Sequence, residues 1–283
     1  MILLPKIQKI KLARIACSVI LAIRKINGLS NEVIVQRDGL QWNLDLTEII
    51  DFSIFLFGGF EPVTLKLYKN IVKPGDTVLD IGANIGAHTL PLARLVGKNG
   101  RVIAFEPTRY AIGKMQKNIA LNQDLIDRIF VKQMMLVADE HEDLEPEIYS
   151  SWPLFEHGKR IHPKHHGKRM DTLGAEAITL DHAAQQMRLE KVDFIKIDVD
   201  GHEYSVLSGG KELFKRFKPV IVMEMAPYVF VKSDHFNDLI YLIKGWDYKI
   251  IDADTQIELP ADPEQLRLII PDGSSRNVLL KHR

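Results

Sequence analysis

The stretch VLDIGANIGAHTL, residues Val78–Leu90, joins an apolar run to a turn that contains two glycines. The run Thr77–Ile81 does not alternate between polar and apolar residues, as expected of a strand buried on both faces of a parallel sheet. Gly82 and Gly86 let the backbone approach a ligand closely, and a helix that starts near Gly86 offers free N–H groups. The stretch therefore predicts a ligand site at the carboxyl end of a buried strand.

The residues of this turn distinguish between two classes of nucleoside cofactor. A dinucleotide site usually needs G-x-G-x-x-G to hold a pyrophosphate, whereas this turn reads GANIG and follows an acid, Asp80. A carboxylate is unfavourable beside a pyrophosphate and favourable beside the ammonium of S-adenosylmethionine. Glu106 follows the next strand, in RVIAFEP, where an acid accepts hydrogen bonds from ribose hydroxyls. The sequence thus favours S-adenosylmethionine over NAD.

From Asp76 onward, predicted strands alternate with predicted helices, which indicates an α/β fold with a doubly wound, mostly parallel sheet. The predicted strands are Thr77–Ile81, Arg101–Phe105, Ile129–Met134, Val192–Ile197, Pro219–Met223, Tyr248–Ile251 and Asn277–Leu280. The predicted helices are Gly86–Val96, Arg109–Leu121, Glu203–Phe214 and one around Phe236–Lys244, preceded by a helix from about Pro62.

Residues 1–50 are predicted to be an extension made of a basic amphipathic helix and a β-hairpin, with Asp38-Gly39 as the hairpin turn. An apolar stripe on the helix consists of Leu12, Ile15, Val19, Ala22 and Ile26. This stripe suits a helix packed on the domain or on a second subunit of a homo-oligomer. The alternative is a helix lying on an anionic membrane, because no acid precedes Glu32. The uncharged part is too short to span a bilayer.

The totals narrow the class of protein. Lysine plus arginine and aspartate plus glutamate are both 37, so the overall charge gives no reason to expect a nucleic-acid partner. Cys17 is the only cysteine among 283 residues, which excludes an internal disulfide and fits a reducing compartment. We therefore expect a cytoplasmic protein, with peripheral membrane contact as the alternative.

Residues 150–171 interrupt the alternation of strands and helices and form a basic insertion loop. The loop carries His157, His162, His165 and His166, but no ordered spacing supports a metal site among them. A solvated loop and a lid that meets an anionic acceptor both remain open.

Beyond the glycine turn, the chain resembles the FkbM family of S-adenosylmethionine-dependent methyltransferases from about Gly59 to Leu280. The specific elements are AITLDHA, VDFIKIDVDGHEYSVLSGG and KPVIVMEM, joined to the glycine turn upstream. The resemblance implies a class I methyltransferase domain at residues 51–283, with an antiparallel last strand. It also implies O-methylation, often of sugar or natural-product hydroxyls. Members commonly carry Glu where this chain has Asp200, which leaves the reach of that acid open.

The resemblance also implies roles for individual residues. The predicted cofactor-binding positions are Asp80, Gly82, Asn84, Gly86, Glu106 and Asp139. Asp139 resembles the position facing the adenine, with an ordinary loop acid as the alternative. Asn122 matches a family asparagine, for which a structural role at a helix end is favoured over ligand contact.

The segment DFIKIDVDGHE contains the predicted catalytic residues. Lys196 and Asp198 share one face of their strand because strand side chains alternate. Asp198 is predicted to orient the acceptor hydroxyl, to act as base or to bind Mg²⁺ together with Asp200. His202 is a candidate proton acceptor, with a surface histidine as the alternative. Glu203 is expected in the first turn of the next helix.

Taken together, these features predict an O-methyltransferase that acts on a hydroxyl of a saccharide or saccharide-containing metabolite. An alternative acceptor is a lipid-linked glycan or another small molecule at a membrane surface. A non-catalytic module that keeps the cofactor fold and an NAD-dependent oxidoreductase are the disfavoured alternatives. Glu224, at the end of the fifth strand, is a further candidate at the same edge of the sheet.

Overall fold

A computed structural model describes residues 6–156, 161, 167–230 and 233–283 of the chain. The strands within these residues are β1 (Glu32–Arg37), β2 (Leu40–Asp45), β3 (Thr77–Ile81), β4 (Arg101–Phe105), β5 (Ile129–Lys132), β6 (Met134–Val137), β7 (Glu147–Ser151), β8 (Lys168–Asp171), β9 (Glu176–Thr179), β10 (Phe194–Ile197), β11 (Val220–Met225), β12 (Tyr248–Asp252), β13 (Glu258–Leu259) and β14 (Arg276–His282). The helices are α1 (Lys6–Ile26), α2 (Ile49–Phe57), α3 (Pro62–Ile71), α4 (Thr89–Leu95), α5 (Arg109–Ala120), α6 (Leu180–Gln186), α7 (Glu203–Ser208), α8 (Lys211–Phe217), α9 (Ser233–Gly245) and α10 (Pro263–Ile269).

The main sheet contains eight strands in the order β13-β12-β14-β11-β10-β3-β4-β5. Strands β11, β10, β3, β4 and β5 are parallel, whereas β14 runs antiparallel to β11 and β12. The predicted α/β fold with a mostly parallel sheet and an antiparallel last strand is confirmed. After β5 the chain returns to β10, on the other side of β3. The strand order therefore reverses at β3 and β10, where α/β proteins place ligands.

Each face of the sheet carries its own hydrophobic core. Leu79 and Ile81 point to the face covered by α6 to α10, and Val78 points to the face covered by α1 to α4 and the β1–β2 hairpin. This alternation follows from the two-residue period of a strand. Helices on both faces explain why β3 is buried at every position.

The β1–β2 hairpin is attached to α5 by two asparagines four residues apart. Asn122 accepts the N–H of Gln41 (2.9 Å) and donates to its carbonyl (2.8 Å), as a neighbouring strand would. Asn118 accepts the N–H of Asn43 (2.8 Å) and donates to the carbonyl of Ile85 (3.0 Å), within the glycine turn. The structure therefore places Asn122 in a structural contact and links the hairpin to the turn.

Helix α1 packs on the domain, but through a different face from the predicted stripe. Ala13, Ala16, Cys17, Ile20 and Leu21 contact the core beneath the sheet. Cys17 is buried, and its thiol lies 3.0 Å from the carbonyl oxygen of Leu46. Burial first, and then the charge of Asp45, raise the pKa of this thiol to about 11, so it is protonated at neutral pH. The described side chains of the predicted stripe, Ile15, Val19, Ala22 and Ile26, are exposed instead.

Two predicted elements are each divided in two in the structure. The predicted strand Ile129–Met134 is two strands, because β6 leaves the main sheet to pair with β9. The predicted helix Glu203–Phe214 is divided into α7 and α8 at Gly209 and Gly210. A Cβ on Gly209 would lie 2.2 Å from the carbonyl oxygen of Val137, so this close contact needs glycine.

The ends of the predicted insertion loop are strands rather than loop. Strands β7 and β8 pair antiparallel, which places Ser150 and Ser151 in a strand. Trp152 donates its backbone N–H to the Glu48 carboxylate at 2.9 Å and accepts the N–H of Ile49 at 3.0 Å. Both ends of the insertion are thus attached to the domain. The four histidines of the loop, His157, His162, His165 and His166, lie outside the described residues.

Replacing Asn118 tests the attachment of the hairpin. Asn118→Ala leaves the N–H of Asn43 and the carbonyl of Ile85 without their partner, which we expect to lower the free energy of unfolding by about 1–3 kcal/mol. Gln123→Ala removes one exposed hydrogen bond to Ala120 and should change stability by less than about 0.5 kcal/mol. Chemical denaturation measures both, and equal effects would contradict the attachment.

Candidate active site

On the sheet face of Val78, apolar side chains give way to polar ones at the edge where the parallel strands end. The change occurs in four adjacent strands, at one level in β3 and β10 and two residues nearer the edge in β11 and β14, so the polar side chains form a stepped row. The pairs are Val78 and Asp80 in β3, Phe194 and Lys196 in β10, Val222 and Glu224 in β11, and Leu279 and Asn277 in β14. An apolar core does not need this row, and its cost in desolvation points to a functional site.

Asp80 is the most deeply buried member of the polar row, with no exposed surface. Its Oδ2 accepts the hydroxyl of Thr89 from α4 at 2.6 Å. Its Oδ1 has no hydrogen-bond partner among the described residues and lies 4.0 Å from the Lys196 ammonium. Burial raises the pKa of Asp80, while Lys196 and Thr89 lower it. A buried carboxylate oxygen without a donor can accept one from a ligand.

Lys196 lies between two carboxylates. Its Nζ is 3.2 Å from Asp198 Oδ2 and 3.5 Å from the carbonyl oxygen of Gly82. Burial alone would lower the pKa of this lysine, but the charges of Asp198, Asp80 and Glu61 raise it above its ordinary value. Lys196 is therefore a cation that positions the acids, and it does not accept a proton. It shares the face of Asp198, as the strand period predicted.

The glycine turn has the backbone conformation that its residues favour. Gly82 has φ +78° and Gly86 has φ +87°, and Asn84 between them has φ +49°. A Cβ on Gly82 would lie 1.8 Å from the carbonyl oxygen of Asp198. Only glycine allows the turn after β3 to touch the end of β10, and this contact joins the two halves of the site.

Glu106 is buried next to the same turn and is 3% exposed. Its Oε1 accepts hydrogen bonds from the N–H and hydroxyl of Thr108 and from the Ser150 hydroxyl, and its Oε2 accepts the N–H of Asn84. Burial raises its pKa and these bonds lower it. Ser150 also accepts from the Asn84 amide through its carbonyl oxygen at 2.9 Å. Strand β7 therefore lies against both predicted cofactor groups.

The turn after β10 is closed by Glu203 rather than by His202. The Glu203 carboxylate accepts the N–H groups of Val199 (3.4 Å) and Gly201 (3.1 Å), which stabilises positive φ angles at Asp200 and Gly201. Burial raises the pKa of Glu203 to about 7. The His202 side chain is partly exposed, and its Nε2 lies 3.9 Å from Glu145. The acid predicted for the first turn of the helix therefore has a structural role.

Glu61 is a site residue that the sequence reasoning missed. It precedes α3, has φ +50°, and its Oε2 accepts the Asn277 amide at 2.9 Å. Burial first, and then the charges of Asp198 and Glu224, raise its pKa to about 7, against the opposing effect of Lys196. The available signal in the sequence was an acid directly before Pro62. The backbone of a residue before proline is restricted, and a strained residue at a helix start often has a function.

A buried histidine, His88, lies next to the Glu61 carboxylate. His88 Nε2 lies 3.8 Å from Glu61 Oε2 and has no hydrogen-bond partner among the described residues, while Nδ1 lies 3.1 Å from the Tyr68 hydroxyl. Burial lowers the pKa of His88 well below its ordinary value, so the imidazole is neutral. The acid, the histidine and the tyrosine form the wall opposite the polar row.

Residues 80–250, more than half of the chain, match the Methyltransferase FkbM domain family. The chain belongs to this family. The predicted family and the predicted enzyme class, a methyltransferase, are confirmed. The matched residues begin at Asp80, near the end of β3, and include the glycine turn, Glu106, Lys196 and Glu224.

Named relatives and a solved structure are similar to this FkbM-family chain. The 2-O-methyltransferase NoeI of Sinorhizobium fredii is 29% identical over 160 residues, which are 53% of this chain and 65%, slightly under two thirds, of NoeI. A "Probable cobalt-precorrin-6B C(15)-methyltransferase (decarboxylating)" of Saccharolobus solfataricus is 26% identical over 180 residues, 56% of this chain and 84% of that protein. A crystal structure of methyltransferase FkbM from Methylobacillus flagellatus KT has a TM-score of 0.43 at 17% identity, over 76% of this chain and 50% of that one.

Two predicted features of the FkbM-family site have less support. Asp139 lies on an exposed turn after β6, where its Oδ1 accepts the N–H of His141 at 2.9 Å, and its place beside the adenine stays a prediction. No three His, Cys, Asp or Glu side chains converge as a metal site within the part of the chain that the structure describes. The Mg²⁺ prediction therefore rests on Asp198 and Asp200 alone.

Replacing Gly82 tests the contact between the two halves of the site. Gly82→Ala combines a positive φ with a Cβ that meets the Asp198 carbonyl, and we expect unfolding to become easier by at least about 2 kcal/mol. The control is Gly113→Ala in α5, where a Cβ meets nothing within 4 Å and should stabilise the helix by about 0.5–1 kcal/mol. Thermal unfolding compares the two. A harmless Gly82→Ala would mean that this contact does not constrain the site.

Proposed function

We propose that this chain transfers a methyl group from S-adenosylmethionine to a hydroxyl oxygen of a saccharide or saccharide-containing metabolite. The observation that carries the proposal is the buried Asp80, whose Oδ1 has no hydrogen-bond donor among the described residues. The glycine turn beside it has no side chains at Gly82 and Gly86, so a ligand can approach its backbone. NoeI, by its name a 2-O-methyltransferase, supports oxygen as the acceptor atom.

The residues around the glycine turn fit the cofactor. Asp80 would accept the ammonium of its methionine part, and the turn N–H groups would bind the carboxylate. Glu106 Oε2 accepts one hydrogen bond among the described residues and has a lone pair left for a ribose hydroxyl. When bound, the cofactor supplies an electrophilic methyl group on a sulfonium.

The polar row and Glu61 fit the acceptor. As the oxygen–methyl bond forms and the sulfur–methyl bond breaks, the hydroxyl must lose its proton. Asp198 is partly exposed and held by Lys196, so it can orient the hydroxyl. Glu61 has a pKa of about 7 and lies near enough to feel the charge of Asp198, so it is the proton acceptor we assign. His202, the acceptor predicted from sequence, is the alternative.

An acceptor with several hydroxyl groups suits the carboxylates and the amide at this edge of the sheet. Carboxylates accept hydrogen bonds from hydroxyls, and so does the amide oxygen of Asn277, whose N–H groups already bond Glu61 and Thr64. The edge of the sheet offers Asp198, Glu224 and Asn277 at adjacent strands, a spacing that suits several hydroxyls on one ring. A lipid-linked glycan would satisfy the same groups.

Transfer to carbon is the second candidate function, since the Saccharolobus solfataricus relative is named a C(15)-methyltransferase. Incubation with methyl-labelled cofactor and a library of saccharides and cell metabolites separates the two. Mass spectrometry of the labelled product identifies an O-methyl ether in our proposal. A label on carbon would replace it with the second candidate.

The cofactor assignment is tested by calorimetry. We expect heat of binding with S-adenosylmethionine and none with NAD. Asp80→Asn removes a charge-assisted hydrogen bond, worth about 1.5–3 kcal/mol, and should weaken binding by roughly ten- to a hundredfold. Asp127→Asn, an exposed acid on the surface, should leave the affinity unchanged. Binding of NAD alone, or equal affinity of both variants, would refute the assignment.

The proton acceptor is tested by the pH profile of kcat. Glu61 must be ionised to act, so the rate should rise with pH until about 7 and then level off. Glu61→Gln should lower kcat and remove this rise, while His202→Asn and the surface control Glu264→Gln should keep it. Loss of the rise in His202→Asn with an intact profile in Glu61→Gln would move the role to the histidine.

Asp198→Asn should lower kcat while cofactor affinity stays near that of the wild type.

A further inference from the structure

Helix α1 has two apolar faces, and the domain covers one of them. The outer stripe, defined as Ile15, Val19, Ile23 and Ile26, is exposed by 64%, 54%, 56% and 84%. The spacing of these four residues places them in one line along the helix. Single exposed apolar residues are ordinary, but an aligned set on one helix marks a surface that meets a partner.

The end of the helix extends this apolar surface. Gly28 has φ +69°, and the N–H groups of Gly28 and Leu29 bond the carbonyls of Lys25 and Arg24, which is a Schellman ending. Leu29 is fixed by this ending and is 53% exposed. The apolar surface therefore continues past the last turn of α1.

The charge around the outer stripe has one sign. Residues 1–31 contain no acid and six basic residues, which are Lys6, Lys9, Lys11, Arg14, Arg24 and Lys25. The chain as a whole is neutral, so this positive charge is balanced by net negative charge elsewhere. The helical period places Arg14 and Lys25 along one border of the stripe, and Lys25 is exposed. An apolar stripe bordered by cations is complementary to an anionic lipid surface.

A second copy of the chain fits this surface less well. Two-fold pairing of identical helices would bring two sets of basic residues together without an acid between them. Insertion across a bilayer does not fit either, because none of the described helices is long and apolar enough to span one. One face of α1 is also packed against the domain, so the helix can only lie along a surface.

We infer that the outer stripe of α1 docks this protein on an anionic lipid membrane. The apolar side chains enter the boundary between headgroups and acyl chains, and the net positive charge of the helix draws it to the anionic headgroups. The inference stands apart from the proposed reaction, because it uses exposed side chains of α1 that are not part of the predicted site.

The test is flotation of the full chain with vesicles of phosphatidylcholine alone or mixed with phosphatidylserine. The protein should float with the mixed vesicles only, and high salt should reduce binding. The stripe variant Ile15→Ser, Val19→Ser, Ile23→Ser should lose roughly tenfold or more of the bound fraction. The control Leu173→Ser, Ile257→Ser, Leu268→Ser removes equally exposed apolar side chains elsewhere and should bind as the wild type does.

A charge variant and two further measurements complete the test. Lys9→Gln, Lys11→Gln, Lys25→Gln should lower binding to the anionic vesicles by roughly tenfold or more, since each cation near the surface contributes. Thermal unfolding should show all variants folded, because the replaced side chains of the stripe are exposed. No flotation of the wild type, or equal flotation of the stripe and control variants, overturns the inference. Light scattering that shows a dimer lost only in the stripe variant, without lipid binding, assigns the surface to a second copy.

Discussion

The ammonium of Lys196 is the charge on which this site depends. It lies between Asp80 of β3 and Asp198 at the end of β10, and it also approaches the carbonyl of Gly82. Two carboxylates this close to an apolar core would repel each other without a cation, and their burial would be costly. One nitrogen therefore connects the predicted cofactor end of the site with the predicted acceptor end, at the point where the strand order reverses.

Local sequence patterns predict the sheet well and its interruptions poorly. Strands Thr77–Ile81 and Arg101–Phe105 are observed with the predicted bounds because their residues are apolar on both faces and lie between clear turns. The split between β5 and β6 was not visible, since it depends on pairing with β9, which lies about forty residues further along. The division of α7 from α8 likewise depends on the distant carbonyl of Val137.

The site shows the same division between local and distant causes. Asp80, the glycine turn and Glu106 could be identified because their types and spacing follow from the chemistry of the ligand. Glu61 could not, because its neighbour Asn277 is over two hundred residues away and only the fold brings them together. The amphipathic face of α1 was identified, but its orientation was wrong for packing, since Cys17 and Leu21 lie on the face that packs on the core and Ile15 faces outward.

The contact of Ser150 with Glu106 and Asn84 makes the insertion a thermodynamic partner of the glycine turn. A ligand that takes hydrogen-bonding capacity from Glu106 changes the environment of β7, and β7 is paired to β8 at the far end of the same insertion. Linkage is reciprocal. The factor by which a ligand of the turn changes the stability of the insertion equals the factor by which fixing the insertion changes the affinity of the turn for that ligand. Ser150 and its strand therefore couple the insertion to the predicted cofactor site.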